Sequence, residues 1–206
     1  TKGDAWDGKN EFIEQSVKDI NDISSTKQGK TVVGDLQGSK YGYNIREASN
    51  LLGSSFGADD ASKGGGDISY YQKGGSHANA TTNKSAVVLG HELYHGWAFE
   101  FTNETKGMDF GSRLVRETGA VQFENYLRAS FGETEMRTHY RLQGSDEKVA
   151  SSNVQGAKNY QLPRANYLKT VPMFQYDRRL QSDVDQTYLR PPLIPLKTID
   201  TRKQKL

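Results

Sequence analysis

The chain contains no cysteine. Disulfides and cysteine-ligated zinc are therefore excluded, and any metal has to be held by histidine and carboxylate. The same absence fits a cytosolic protein, or one threaded unfolded through a secretion machine. No apolar run approaches the roughly 18 residues that a membrane-spanning helix requires. Charge of one sign is missing too: 27 basic residues face 25 acidic ones, a formal net charge of +2, and the mixture gives no footing for nucleic-acid binding. Apolar residues make up only 34% of the 206, so a compact core must sit beneath a very polar surface. Proline is scarce and one-sided, with Pro163, Pro172, Pro191, Pro192 and Pro195 all in the last third. The opening Thr1-Lys2-Gly3-Asp4 has neither signal-peptide character nor an initiator methionine, and reads as an excised or processed piece.

Against these absences stands one dense stretch, Ser85 to Glu100, containing His91-Glu92-Leu93-Tyr94-His95. Two histidines four residues apart lie one turn apart on the same helical face, so both imidazoles can reach one Zn2+. Glu92 lies where it can act as base toward a metal-activated water. The five-letter pattern alone also occurs by chance. Its setting strengthens it, because Val87, Val88 and Leu89 precede it and Trp97, Ala98 and Phe99 follow it, as a buried, rigid platform requires. A metal-free core helix would leave a costly buried His-Glu-His cluster.

Upstream, Ile13, Val17, Ile20 and Ile23 set an amphipathic helix over 10–25, and 30–36 reads as a second, short helix. Alternating Tyr41, Tyr43 and Ile45 predict a strand to about Glu47. Gly53 to Gly66 reads as a mobile loop; it lacks the spacing of either phosphate-binding glycine motif. Asp67 to Gln72 is a second short strand and the candidate for an edge strand that pairs with extended substrate over the metal. His77 falls in a surface loop. Thr82 or Asn83 is expected to cap the metal helix, which runs to about Thr102. After a polar turn, a helix over 113–131 carries Glu117, Val121, Glu124 and Arg128 on one face.

A catalytic zinc takes three protein ligands and leaves a position for water. A third histidine six residues after His95 is excluded, since Ala98 and Phe101 occupy the positions that pattern needs. A glutamate from the following helix is the other common solution. Glu117 is the first choice, because the intervening chain suffices for a turn and an antiparallel return. Glu124 is the alternative, better placed to hydrogen-bond a ligand, and Asp109 is a third. Further on, Arg137 and Tyr140 can supply donors to the oxyanion of amide hydrolysis.

The order Leu89-Gly-His-Glu-Leu-Tyr-His-Gly, Glu117-x-Gly119, Glu124-Asn-x-Leu-Arg128, then Arg137-x-x-Tyr140 resembles the NleD-like zinc metallopeptidases. These are bacterial type III effectors with relatives among Rhs-associated toxin domains. The late Arg-x-x-Tyr is also similar to clostridial neurotoxin light chains. The resemblance covers roughly residues 10 to 142. It implies an α+β, zincin-like fold of gluzincin type: a small sheet, the HExxH helix and a following Glu-bearing helix, to which the chain adds an extended C-terminal segment outside the resemblance. It implies Zn2+ on His91, His95 and Glu117, with Glu92, Arg137 and Tyr140 catalytic. Gly96-Trp97 departs from the family pattern and alters the pocket wall.

The organisation expected is a metallopeptidase domain over 1–142 and an extended segment over 143–206, anchored by Tyr160, Tyr167, Phe174 and Tyr176. Residues 189–196 are expected to be polyproline-like and 197–206 a loose basic end. The function expected is a zinc-dependent endopeptidase, secreted or translocated into a target cell, monomeric, acting on a protein there, with no nucleic-acid partner. Two rivals are a binding module with a structural or vestigial zinc site, and a zinc hydrolase of a non-peptide amide. Glu92 argues against the first, because a purely structural site needs no general base.

Overall fold

The computed structural model describes residues 10–59, 64–75, 83–102, 111–138, 153–163 and 194–195. They form an α+β arrangement of five helices and a small sheet: α1 Glu11–Ser24, α2 Lys27–Gly38, β1 Tyr43–Glu47, β2 Ser55–Ala58, β3 Gly66–Tyr70, α3 Ser85–Phe101, α4 Gly111–Ser130, α5 Val154–Lys158 and β4 Ile194–Pro195. The sheet order is β2-β3-β1-β4. β1 and β3 are parallel, with Ile45 opposite Ile68, while β2 runs antiparallel to β3 and β4 antiparallel to β1.

α1 starts where Asn10 accepts the Ile13 N–H at 3.1 Å. It buries Val17, Ile20 and Ile23 of the stripe its periodicity announced, with Phe12 buried beside them and Ile13 only partly buried. Thr26 caps α2 by accepting the Gly29 N–H at 3.1 Å. Glycine is required there, because a Cβ at Gly29 would sit 2.1 Å from the Ile23 carbonyl oxygen. α2 is longer than the sequence suggested, and Val32, Val33 and Leu36 fasten it to the core.

α3 is the centre of the molecule, packed by the sheet and by α1, α2 and α4. Its buried residues run all round it, from Val87, Val88 and Leu89 to Leu93, Tyr94, Trp97 and Ala98. Polar bolts fix its second half: Trp97 donates to Asp35 of α2 at 2.8 Å, and Tyr43 of β1 donates to Glu100 at 2.7 Å. Its start is fixed from α1. The Asp19 carboxylate, 1% exposed, accepts from Ser85 at 2.9 Å, Gln15 at 2.8 Å and Tyr70 at 3.2 Å. With only neutral donors at hydrogen-bond distance, burial pushes the Asp19 carboxyl up to about 6.

Several expectations are corrected here. The strand over 67–72 is not at the edge: β3 is interior, paired on both sides, and the strand beyond it is β2. β2 lies inside the stretch read as a mobile loop. The glycines there serve close approach, since a Cβ at Gly66 would meet the Gly57 carbonyl oxygen at 2.2 Å. The N-cap of α3 is Lys84, with no side-chain cap bond, and Asn83 turns elsewhere. In the C-terminal stretch, Ile194 and Pro195 pair with β1 as an edge strand, where a proline is tolerated because no inner ladder needs its N–H. The short helix α5, capped by Asn153, was not anticipated. Tyr160 packs on Phe123 and Tyr126 at 6.2 and 6.0 Å, the anchor expected of it. Thr82, Tyr167, Phe174, Tyr176 and residues 197–206 lie outside the described residues.

Candidate metal centre

His91 and His95 project from one side of α3, and Glu117 meets them from α4. His91 Nε2 and His95 Nε2 are 3.2 Å apart, and Glu117 Oε2 lies 3.3 Å from the first and 3.4 Å from the second. These three residues could hold a metal ion, each offering one atom to a common point. Among the described residues no other group of at least three histidines or carboxylates does so. The side chains are 12–14% exposed, so the centre opens narrowly to solvent.

The electrostatics favour positive charge at that point. Burial lowers the His91 pKa, but its bonds to Glu117 and Glu124 prevail and lift it to about 10. Burial acts to raise Glu117, yet both imidazoles hold its carboxyl well below the usual carboxylate range. The setting of paired imidazoles and carboxylates therefore favours a cation at that point.

Glu124 stands directly behind. Its Oε2 is 3.2 Å from His91 Nδ1 and accepts from Arg137 Nη1 at 3.0 Å; its Oε1 accepts from Arg128 Nη2 at 3.0 Å and Nε at 3.3 Å. A carboxylate on Nδ1 fixes the tautomer that leaves the Nε2 lone pair free for a metal. Burial opposes ionisation of Glu124, but His91, Arg137 and Arg128 hold it down to about 2. Of the candidate third ligands, the geometry thus brings Glu117 to both ring nitrogens and puts Glu124 on the far side of His91. Asp109 lies outside the described residues, as do His77 and Tyr140.

Glu92, one residue from His91, is buried. Burial pushes its carboxyl up, the two imidazoles pull it down, and Glu117 and Glu124 push it up again. Arg137 is anchored twice: its side chain on Glu124, and its backbone N–H and carbonyl on the Asn125 side chain at 2.8 Å each.

The residue that sequence reasoning undervalued is Arg128, 1% exposed and the largest fully buried side chain among the described residues. Besides Glu124 it reaches Glu133 at 3.0 Å and the Asn83 side-chain oxygen, just ahead of α3. Gly132 makes this possible. At φ +80° it ends α4, with the Glu133 N–H bonded to the Arg128 carbonyl and the Gly132 N–H to that of Ala129, so the chain turns back and lays Glu133 beside Arg128. The available signal was the four-residue spacing of Glu124 and Arg128 on a face already read as polar.

No curated protein and no solved structure matches the chain. A family model does: Peptidase M91, described as an effector protein, matches residues 2–113. That span includes His91, Glu92 and His95 and stops short of Glu117, which the packing of α4 on α3 brings beside the histidines independently of the match. With more than half its length matched, the chain belongs to the NleD-like Peptidase M91 family of effector proteins.

Proposed function

We propose that the protein is a zinc-dependent endopeptidase of the zincin-like, gluzincin type, delivered into a target cell to cleave a protein there. The observation that carries this reading is the triangle of His91 Nε2, His95 Nε2 and Glu117 Oε2, with sides of 3.2, 3.3 and 3.4 Å. Zinc in tetrahedral coordination, with ligands at about 2.0–2.1 Å, spaces its ligand atoms about 3.3 Å apart. Two imidazoles and one carboxylate, without cysteine, are also a common donor set for a catalytic site that keeps one position open.

When bound, zinc would supply Lewis acidity, lowering the pKa of water toward about 7 and polarising the scissile carbonyl. The chain's own residues do the rest. Glu124, 3.2 Å from His91 Nδ1, orients the ring so that Nε2 faces the point where the metal would sit. Glu92, its carboxyl raised by burial, takes the proton from the attacking water and passes it to the leaving amine. Arg137, held from behind by Glu124, and Tyr140 donate to the oxyanion. The strand offered to an extended substrate is now β2: Phe56 seats it over α3 against Phe99 and Tyr43, ring centroids 5.7 and 6.3 Å away.

The test joins metal analysis to proteolysis. Protein purified with zinc present is expected to carry one equivalent and to cleave members of a quenched peptide library. Glu92→Gln should keep the zinc and lose roughly 10²–10⁴-fold in turnover. A clearly substoichiometric zinc content, or undiminished cleavage by Glu92→Gln, would refute the reading.

A further inference from the structure

α3 and α4 pack through two glycines used reciprocally. A Cβ at Gly90 of α3 would lie 2.2 Å from Leu127 Cδ1 of α4. A Cβ at Gly119 of α4 would lie 2.6 Å from Tyr94 Oη of α3 and 3.0 Å from two carbons of its ring. Each helix presents bare backbone to a large side chain of the other. Neither large side chain has room to withdraw: both are fully buried, and Tyr94 stacks on Phe123 at 5.7 Å with Trp97 at 5.9 Å. Glycine is the poorest helix former after proline, so its use inside two adjoining helices points to a demand of packing.

The two contacts bracket the candidate metal ligands. Gly90 precedes His91 and Tyr94 precedes His95 on α3; on α4, Gly119 follows Glu117 by two residues and Leu127 follows Glu124 by three. The interhelical distance therefore sets how far the Glu117 carboxylate stands from the imidazoles. Relieving a Cβ at 119 to the 3.4 Å of ordinary contact needs about 0.8 Å of movement. Metal–ligand distances tolerate about 0.2 Å.

We propose that Gly90 and Gly119 are positioning residues that hold α3 and α4 at the one separation where Glu117 reaches both histidines and Glu124 reaches His91. The proposal rests on the zinc reading above. A merely structural role would change the melting of the protein without changing its metal affinity.

The experiment is a pair of double-mutant cycles read by zinc affinity, measured by competition with a chromophoric chelator, alongside melting of the metal-free proteins. Gly119→Ala is expected to melt cooperatively yet bind zinc about 10–100-fold more weakly, the range found when a ligand's supporting shell is disturbed. Tyr94→Leu removes both the hydroxyl and the ring carbons that the new methyl meets, and the double variant is expected to recover most of the lost affinity. Gly90→Ala with Leu127→Ala gives the same pattern independently. Unchanged zinc affinity in Gly119→Ala and Gly90→Ala, or loss without recovery in both doubles, overturns the positioning role and leaves the zinc reading standing. Wild-type protein that takes up no zinc removes both. If a single variant fails to fold, its double decides: folding with near wild-type affinity supports the proposal, and anything less overturns it.

Discussion

Glu124→Gln removes one charge from a carboxylate that four donors share. Oε1 accepts from Arg128 Nε and Nη2, and Oε2 faces His91 Nδ1 and Arg137 Nη1. The amide group of glutamine has to replace one of these oxygens. In either orientation it points N–H at N–H, and there is no water-filled space to turn into, because Glu124 is 2% exposed. The magnitude follows from the carboxyl itself. Held at about 2 against an ordinary 4.5, it contributes about 3 kcal/mol of stability at neutral pH. Breaking one partner of a buried ion pair costs about 3–5 kcal/mol, in agreement. At about 2–4 °C per kcal/mol for a chain of this size, the metal-free variant should melt roughly 6–20 °C below wild type. The sign with pH is fixed as well. A depressed carboxyl stabilises fully above its unfolded value, so the gap should be complete above about pH 4.5 and close as pH falls toward 2. Calorimetry of both proteins in chelator, from pH 3 to 7, measures it. A variant melting within a degree or two of wild type at pH 7, or a gap that widens in acid, would refute the reasoning.

Tyr140→Phe, which deletes only a hydroxyl, should lower kcat about 10²–10³-fold with KM nearly unchanged. A raised KM with steady kcat would instead make Tyr140 a substrate-binding residue. For Asp19, burial raises the folded carboxyl from 3.8 to about 6, so the folded state holds its proton more tightly than the unfolded chain. That stabilisation is complete below about pH 3.8 and lost as pH rises through 6. Asp19→Asn should therefore melt above wild type at pH 8, by the equivalent of roughly 1–3 kcal/mol, with the advantage gone by about pH 4. Melting curves that coincide at pH 8 would show the charge to be well solvated.

The parts of the molecule legible in the sequence were those written in local periodicity. The spacing of Ile13 to Ile23 gave α1, and the apolar flanks of the His-Glu-His stretch gave a buried α3. The polar face of α4 put Glu117, Glu124 and Arg128 together, and all three now lie in or behind the candidate metal centre. The sheet was less legible because strand neighbours are chosen by tertiary packing. Nothing in Asp67–Tyr70 distinguishes an edge strand from one with β1 on one side and β2 on the other. β2 was hidden by its composition: the glycines around it read as looseness, whereas Gly66 is there because the Gly57 carbonyl of β2 comes too close to leave room for a Cβ. Arg128 was visible as a charge on a face. Its burial was not, because its partners Asn83 and Glu133 come from either side of the helix pair, the second delivered by the turn at Gly132.

The pairing of β4 with β1 bears on the order in which the fold assembles. His91 and Glu117 are 26 residues apart along the chain. Ile45 and Ile194 are separated by about 150, and loop-closure cost grows as the logarithm of length, so the sheet's last partner costs about 1.5 kcal/mol more to bring in. β4 repays that with only two residues of ladder. Short-range contacts form fast and long-range ones slowly. The α3–α4 hairpin can therefore close, and present its three candidate ligands, while the β1 edge still stands open. A nascent or freshly refolding chain would be competent to capture a metal ion before the sheet is complete, and an ion held there would anchor the hairpin on which the remaining strands settle.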